Sequence, residues 1–344
     1  MHMADALLSP TVGATFWAGT AAALGYASKK LKESIDDKMI PLMGVMGAFI
    51  FASQMINFTI PGTGSSGHLG GGMILSILLG PYAALLVMAS VLTIQALFFA
   101  DGGLLALGCN IWNLGIYPCF IVFPFIYRPL AGDGKNSGRV LWAALVCGIA
   151  ALQMGAFSVV LQTLLSGKSE LPFGTFVMLM QPIHLGIGIV EGFVTAGVIN
   201  YVRGVRPELL DSAIHARPLE AGISLKKLLI SLSLIALVIG GALSWFASTN
   251  PDGLEWSIEK VTGKPELPEQ ERGIANTLKG VQEKTAVLPD YNFKQEKAPK
   301  TEGPAARPGM EGGTSVAGII GAGLVLLFIV IIGAGIRAVR HRHL

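Results

Sequence analysis

Long apolar stretches separated by short polar ones form the dominant pattern along this chain. Residues 39–60 and 102–127 contain no charged side chain, and a helix that spans a bilayer needs roughly 20 predominantly apolar residues. The pattern predicts nine apolar helices, at residues 10–28, 39–60, 69–80, 82–100, 103–127, 140–166, 173–202, 225–247 and 315–336. The short 69–80 segment is expected to be a tilted or half-spanning piece.

These segments predict an all-α fold, a polytopic membrane helix bundle of about seven spans followed by a two-span C-terminal module. The composition agrees, because 52% of the 344 residues are apolar and 14% are charged, whereas soluble domains carry about 25% charged residues. We expect a membrane domain at 1–205, a cytoplasmic linker at 206–224 and a module at 225–344. Its loop at 248–314 is expected outside the cytoplasm, and the Pro-, Glu-, Lys- and Gly-rich part from about 264 to 313 is expected to be a mobile tether.

The basic residues indicate the orientation in the plasma (inner) membrane. They cluster in alternate short loops and after the last segment: Lys29, Lys30, Lys32, Arg128, Lys135, Arg139, Arg203, Arg206, Arg217, Lys226, Lys227, Arg337, Arg340 and Arg342. Cytoplasmic loops carry the excess of Lys and Arg. The N-terminus is therefore predicted outside and the C-terminus in the cytoplasm. The net charge of +3 reflects these anchors, and no basic patch predicts nucleic-acid binding.

Several classes of function are disfavoured by what the sequence lacks. It contains no GxxxxGK[ST] phosphate loop, so any ATP hydrolysis must come from partner subunits. No Ser–His–Asp or paired-carboxylate pattern predicts an enzyme. Cys109, Cys119 and Cys147 lie in apolar segments without CxxC spacing and are expected to be buried small residues. The remaining hypotheses are a metal-importer subunit, a stand-alone divalent metal channel or secondary transporter, and a membrane-embedded enzyme.

The first two residues form a candidate chelator. We expect Met1 to be retained, because removal of the initiator methionine requires a small second residue and His2 is large. The Met1 amine, the deprotonated His2 backbone nitrogen and a His2 ring nitrogen can then close fused five- and six-membered rings on one metal. A fourth nitrogen would complete a square-planar set, which points to Ni²⁺ or Cu²⁺, with Co²⁺ just below nickel in affinity order.

His68 is the candidate fourth ligand. It lies in the glycine-rich sequence PGTGSSGHLGGG, residues 61–72, where glycines allow backbone to fold closely around a ligand. The predicted topology places this loop on the same side as the N-terminus. Taken alone, His68 would more simply be a residue capping the helix that follows. Together with His2 on one membrane face, it indicates a metal site.

Five sequence motifs resemble those of the CbiM/NikM family, the substrate-binding components of energy-coupling-factor importers for cobalt and nickel. The similar motifs are MHMADALLSP at 1–10, PGTGSSGH at 61–68, QALFFADGG at 95–103, GCNIWN at 108–113 and HLGIGIVEG at 184–192. The resemblance covers about residues 1–205. The sequence departs from many members at Met3, where they carry isoleucine, and a thioether there would favour softer metals.

The resemblance implies a function, ligands and partners. It implies that Met1, His2 and His68 bind Co²⁺ or Ni²⁺ as the transported substrate, and the sequence does not choose between the two metals. It implies a membrane scaffold (T) subunit and ATP-binding cassette ATPases as partners. The sequence NPDGLEW at 250–256 resembles the PDGLE domain, which stands where related systems have the two-span CbiN or NikN subunit that assists metal loading.

Other polar residues in the apolar segments are weaker candidates. Asn57, Gln95, Asn110 and Asn113 are candidate residues for orienting the histidines and holding the inserted N-terminus, or for ordinary hydrogen bonds between helices. His184 and Glu191, seven residues apart, share a helix face and are expected to form a buried structural pair or network, with a metal relay as the less favoured alternative. Asp101, in an Asp-Gly-Gly sequence, is expected in a turn or helix cap.

One face of the first segment carries small residues at every fourth position, Ala14, Ala18 and Ala22. Such a face permits close helix approach. The resemblance implies that the scaffold subunit docks on it, and packing within this subunit is the equally weighted alternative.

Overall fold

The computed structural model describes residues 2–35, 38–167, 171–215, 223–265, 267, 273–293 and 312–341. These residues form a helix bundle, and the predicted all-α membrane fold is confirmed. Five helices are long and apolar enough to cross a membrane by length and composition: Pro81–Phe99, Leu107–Ala131, Ser137–Ser166, Phe173–Val205 and Gly312–Arg340. The predicted total of about nine spans stays a prediction.

Each predicted apolar segment contains a helix in the structure. In chain order the helices are α1 Pro10–Ser34, α2 Met39–Gln54, α3 Gly72–Leu79, α4 Pro81–Phe99, α5 Leu107–Ala131, α6 Ser137–Ser166, α7 Phe173–Val205, α8 Pro207–His215, α9 Lys226–Gly241, α10 Gly253–Thr262, α11 Ile274–Thr285 and α12 Gly312–His341. Short 3₁₀ turns lie at Asp5–Leu7, Leu243–Phe246 and Pro289–Tyr291. One antiparallel hairpin is present among the described residues, β1 Phe58–Ile60 paired with β2 Ser65–Gly67.

Local chemistry explains where the first helix begins. Ser9 is the N-cap of α1, and its hydroxyl accepts a hydrogen bond from the Val12 N–H at 3.3 Å. Pro10 follows at the first helical position, where its missing N–H costs nothing. These two residues fix the start of α1, so residues 2–8 lie outside the helix.

Helix α5 is irregular along most of its length. From Trp112 to Tyr127 its backbone hydrogen bonds span five residues, and this stretch contains Pro118 and Pro124. Wide turns of this kind are uncommon and often occur at functional sites. They also accommodate prolines, which lack the N–H that a regular helix needs.

The short helix α3 completes a crossing that the preceding loop begins. Eight residues of helix extend only about 12 Å, less than the roughly 30 Å hydrocarbon core. The loop before α3 descends along α7, however, because the Gly70 and Gly71 N–H groups both donate to the Glu191 carboxylate. At its other end α3 packs against α8. The expectation of a half-spanning piece thus matches a short helix joined to a buried loop.

The C-terminal helices pack onto the bundle. Helices α9 and α12 contact each other and α2, and α12 also contacts α4. They meet closely at Gly240 and Gly318, where a Cβ on Gly318 would lie 2.2 Å from the Gly240 carbonyl oxygen. Small residues at such a crossing let two membrane helices approach.

The expected mobile tether is wrong for residues 273–293. This part contains α11 and the turn Pro289–Tyr291, and it is attached to the end of α4. The Gln282 side chain donates to the Ala96 and Gly102 carbonyls at 2.9 and 2.7 Å. Composition alone missed these contacts, because a polar helix can be held by carbonyls exposed at another helix end. Residues 294–311 of the expected tether lie outside the described residues.

Candidate metal centre

The N-terminal segment is inserted into the bundle. Met3 is fully buried, and Asn110 contacts its backbone on both sides. The Asn110 Oδ1 accepts from the Met3 N–H at 2.9 Å, while its Nδ2 donates to the Met3 carbonyl at 3.3 Å. The Gly103 N–H donates to the same carbonyl at 2.9 Å. Asn110, predicted as a residue that holds the N-terminus, therefore lies one residue from His2.

Gly103 makes room for this insertion. A Cβ at Gly103 would lie 1.8 Å from Oδ1 of Asp5 and 2.5 Å from the Asp5 backbone nitrogen. The same Asp5 oxygen accepts a hydrogen bond from the Ala106 N–H at 2.9 Å. The inserted segment and the loop after α4 thus fit only because position 103 has no side chain.

The two candidate histidines meet at this point. The His2 and His68 rings are stacked, with centroids 5.0 Å apart and planes 11° from parallel. Among the described residues, neither Nε2 atom has a hydrogen-bond partner, although both atoms are buried. A buried nitrogen without a partner is uncommon and calls for a ligand or a functional reason.

The hydrogen bonding of His68 fixes which nitrogen is available. Its Nδ1 lies 2.9 Å from the Leu69 carbonyl oxygen, which can only accept, so Nδ1 carries the hydrogen and Nε2 keeps its lone pair. Burial lowers the pKa of His68 to about 3, so the ring is neutral at neutral pH. A neutral imidazole with its second nitrogen anchored is the form that binds metal ions.

Asp101, expected in a turn or helix cap, also lies beside the candidate histidines. Its Oδ1 lies 3.1 Å from Nδ1 of His2, and its Oδ2 accepts a hydrogen bond from the Tyr291 hydroxyl at 2.5 Å. Burial alone would raise the pKa of Asp101, but the His2 ring and the Tyr291 hydroxyl hold it well below its usual range. The position of Asp101 within the 95–103 motif was the one signal available in the sequence.

Among the described residues, the other polar candidates form hydrogen bonds around the histidines without bonding to either ring. Gln95 donates to the Gln54 side-chain oxygen, and Gln54 donates to the Gly70 carbonyl, both at 2.9 Å. Gln95 thereby reaches the His68 loop through Gln54. Asn113 exchanges hydrogen bonds with Gln162 at 2.9 and 3.0 Å.

Asn113 and Asn57 also border the site directly. The Asn113 Nδ2 lies 3.9 Å from the Met3 sulfur. The Asn57 Oδ1 is buried without a hydrogen-bond partner among the described residues. Asn57 lines a cavity of about 710 Å³ together with His2, His68, Asp101 and Asp252. The cavity is much larger than a bare metal ion, and residues of the C-terminal module such as Leu254 and Gln282 form part of its lining.

His184 and Glu191 lie close to the His68 loop. Among the described residues, no hydrogen bond joins the two side chains. The Glu191 carboxylate binds the loop backbone at Gly70 and Gly71, at 2.7 and 3.1 Å. The His184 Nδ1 lies 2.8 Å from the Met180 carbonyl oxygen. Glu191 therefore belongs to a network that fixes the loop carrying His68.

Side chains alone do not form a conventional metal cluster here. Within the described ranges, no three His, Cys, Asp or Glu side chains come together in a way that could hold a metal ion. The predicted site relies instead on backbone nitrogens of the first two residues, and Met1 lies outside the described residues. The cysteines at 109, 119 and 147 are free and buried, as expected.

The alanine face of α1 points away from the bundle. Ala14, Ala18 and Ala22 are all exposed. The face is therefore available to another membrane helix.

Comparison with known proteins identifies the family. The family described as "Cobalt uptake substrate-specific transmembrane region", CbiM, matches residues 2–209. The chain belongs to the CbiM family. The PDGLE domain family matches residues 226–338, so the C-terminal module is a PDGLE domain fused to the CbiM region.

Individual relatives extend this result. A protein of Archaeoglobus fulgidus, assigned as a fused nickel transport protein NikMN, is 31% identical over 328 residues, which cover 95% of this chain and 96% of that protein. The cobalt transport protein CbiM of Sorangium cellulosum is 30% identical over 219 residues, covering 61% and 95%. A solved structure of a transition metal transporter has a TM-score of 0.53 at 34% identity, over 62% of this chain and 97% of that one. These relatives support a multi-pass membrane transport role rather than an enzymatic one.

Proposed function

We propose that this chain is the substrate-specificity subunit of an energy-coupling-factor ABC importer, which captures Co²⁺ or Ni²⁺ outside the cell and delivers it across the membrane. The observation that carries the proposal is the stacking of His2 on His68, whose Nε2, the proposed ligand atom, is buried without a hydrogen-bond partner among the described residues. Family membership and the cobalt and nickel transport relatives support it.

The proposed ligands are four nitrogens: the Met1 amine, the His2 backbone nitrogen, the His2 Nδ1 and the His68 Nε2. Only Nδ1 of His2 can close a six-membered ring with its own backbone nitrogen. Since that atom now lies 3.1 Å from Asp101, metal binding exchanges this contact for a metal bond. Asp101 then remains beside the metal as a negative charge, which favours a divalent cation over a neutral solute.

The proposed partners are a membrane scaffold subunit and ATP-binding cassette ATPases. The exposed face of Ala14, Ala18 and Ala22 is the proposed docking surface for the scaffold, because small residues allow close approach of a second helix. The absence of a phosphate-loop sequence from this chain assigns ATP hydrolysis to those partners.

Uptake of radioactive nickel and cobalt tests the proposal in cells that lack other high-affinity uptake. We expect uptake only when the scaffold and ATPases are co-expressed, and loss of uptake in His2→Gln and His68→Ala. The glutamine keeps a large second residue, so Met1 stays in place. His215→Ala in α8 should transport normally, which controls for loss of a histidine elsewhere.

Two results would contradict the proposal in different ways. Full uptake without the ATPases would favour the alternative, a stand-alone metal channel or secondary transporter. Full uptake by the His68→Ala variant would exclude the proposed ligand set. Competition between the two metals in the same cells decides which one is the preferred substrate.

A further inference from the structure

A segment of the C-terminal module crosses the hairpin that leads to His68. The segment 248–253 begins beside Asn57, just before β1, and continues along Ser66 in β2. At its start, the Ser248 N–H donates to the Asn57 carbonyl at 2.7 Å, and the Thr59 hydroxyl donates to the Ser248 hydroxyl at 2.9 Å. The two modules are therefore joined by hydrogen bonds at this point.

The segment then pairs with the strand that precedes His68. The Ser66 N–H donates to the Pro251 carbonyl at 2.8 Å, and the Ser66 hydroxyl donates to the Asn250 carbonyl at 2.8 Å. A parallel β-bridge joins Ser66 to Asp252. Ser66 is fully buried and lies two residues before His68, so a shift of this pairing would move the histidine.

Strand β2 is enclosed on its other side by α7. A Cβ at Gly67 would lie 2.3 Å from the Cδ1 atom of Ile187. The strand thus lies between α7 and the 248–253 segment. Without the 248–253 segment, β2 would keep its pairing with β1, and the His68 loop would keep the contacts of Gly70 and Gly71 with Glu191 of α7.

Each residue from Pro251 to Glu255 contributes to this docking. Pro251 offers its carbonyl to Ser66. Asp252 caps α10 by accepting from the Leu254 and Glu255 N–H groups, both at 2.8 Å. The Glu255 carboxylate completes the capping box by accepting from the Asp252 N–H at 3.0 Å, an arrangement that fixes a helix start.

Of the two remaining positions, Gly253 lies close against α7 and Leu254 is buried. Leu254 is 2% exposed. A Cβ at Gly253 would lie 2.6 Å from the Cγ2 atom of Ile183 and 3.3 Å from the Cε1 atom of His184. A larger residue at position 253 would push the segment away from α7, and with it the carbonyls that bind Ser66.

We propose that the sequence Pro251–Glu255 is a docking clip through which the C-terminal module positions His68. The clip adds a third backbone segment to the hairpin and ties it to α7, as peptides add to an exposed sheet edge. Its residues act on the metal through the position of His68 and are not ligands. The inference rests on the proposed function, because it requires His68 to be a ligand.

A cysteine cross-link tests the docking without reference to metal. Thr59 and Ser248 have hydroxyl oxygens 2.9 Å apart, so cysteines at these two positions would place their sulfur atoms close together, as a disulfide requires. The full chain carrying Thr59→Cys and Ser248→Cys should form the disulfide under mild oxidation, and each single variant should not. The native cysteines are buried. Failure of the pair to cross-link would overturn the proposal.

Metal affinity of the purified full chain tests the positioning. Asp252→Ala should weaken Ni²⁺ binding by about tenfold or more, as removal of groups that orient a metal ligand commonly does. Asp252→Ser, which still caps a helix without a charge, should restore most of it. Asn136→Ala is the matched control, because Asn136 caps α6 at a distance from the site, and should leave the affinity within about twofold.

A double-variant cycle separates positioning of His68 from general damage. In a His68→Ala background, Asp252→Ala should weaken binding no further, because the two residues act through one ligand. Cu²⁺ is the probe for this arm, since nitrogen ligands bind it more tightly than nickel. If Asp252→Ala lowers metal affinity equally in the wild-type and His68→Ala backgrounds, the clip is overturned. It is also overturned if Ni²⁺ affinity falls in His68→Ala but stays unchanged in Asp252→Ala. A chain that binds no Ni²⁺ at all would instead refute the proposed function, and the clip with it.

Discussion

The two imidazoles at the candidate site are held by different means. His68 is held through its own ring, by the Leu69 carbonyl at Nδ1, and through its loop. His2 is held by the Asp101 carboxylate at its Nδ1 and by its neighbour Met3, whose backbone is bound by Asn110 and Gly103. The position of His2 therefore depends on Asn110. Among the described residues, Asn110 makes no hydrogen bond to the His2 ring.

The first prediction concerns that asparagine. Asn110→Ala removes two buried hydrogen bonds to Met3 and should weaken Ni²⁺ binding by about 10- to 100-fold. It should also lower the free energy of unfolding by about 1–3 kcal/mol, because the Met3 N–H stays buried without the partner that Asn110 supplied, while the Met3 carbonyl keeps only the Gly103 N–H. Titration of purified protein with Ni²⁺ and denaturation in detergent measure the two effects.

Gln153→Ala is the control for Asn110→Ala. The Gln153 side chain donates to the Gln181 carbonyl at 2.8 Å between α6 and α7, so its loss should destabilise the fold to a similar extent. Metal affinity should stay unchanged in this variant. Equal affinity losses in the two variants would mean that Asn110 acts only through general stability.

Two of the candidate site residues, His2 and His68, are predictable from the sequence alone. His2 follows the initiator methionine and His68 lies among glycines, so the sequence alone identifies both candidates, and the structure brings their rings together. The contact of Asp101 with His2 was not visible, since it joins residues 99 positions apart through the folded N-terminus. The same holds for Asp252, whose role depends on a hairpin almost 200 residues earlier.

At the scale of elements, apolar stretches predicted helices well because a bilayer leaves backbone groups few alternatives to helical hydrogen bonding. The ends were less accurate. The predicted 39–60 segment divides into α2 and strand β1, because residues after Gln54 turn to build the hairpin before His68. Polar helices such as α11 gave no apolar signal, and their place is set by tertiary hydrogen bonds.

The second prediction tests how α11 is held. Gln282→Leu keeps the approximate size of the side chain and removes its hydrogen bonds to the Ala96 and Gly102 carbonyls. We expect faster amide hydrogen exchange in 274–291, with a local loss of about 1–3 kcal/mol. Since Tyr291 lies on the same segment and binds Asp101, exchange near Asp101 should rise as well.

Thr277→Val serves as the control on the same helix. The Thr277 hydroxyl contacts the Gly273 carbonyl within its own segment at 3.5 Å, so its loss leaves the attachment to α4 unchanged. Exchange in 274–291 that is equally fast in both variants would show that Gln282 does not anchor the helix.

At the scale of the whole molecule, the two ends of the bundle differ in chemistry. One end carries the hairpin, the candidate histidines and the PDGLE segment. The other joins loops that the sequence predicts to be cytoplasmic. There the Arg203 guanidinium donates to the Gly134 and Lys135 carbonyls at 3.2 and 3.1 Å, and Arg340 donates to the Ile35 carbonyl at 2.6 Å. These hydrogen bonds tie the loop after α5 to the end of α7, and the end of α12 to the end of α1.

The last prediction assigns these ends to sides of the membrane. Because loops rich in Lys and Arg remain in the cytoplasm, a reporter fused after Leu344 should be active there. A reporter inserted between residues 293 and 312, which leaves α11 and α12 intact, should be active only outside. A third insertion between residues 215 and 223 should match the C-terminal fusion, since both follow basic segments. Paired alkaline phosphatase and fluorescent-protein fusions give opposite signals on the two sides, so each position is measured twice. A cytoplasmic signal from the 293–312 insertion would place the candidate metal centre on the inner face, where it could not capture metal from outside, and an importer would no longer be tenable.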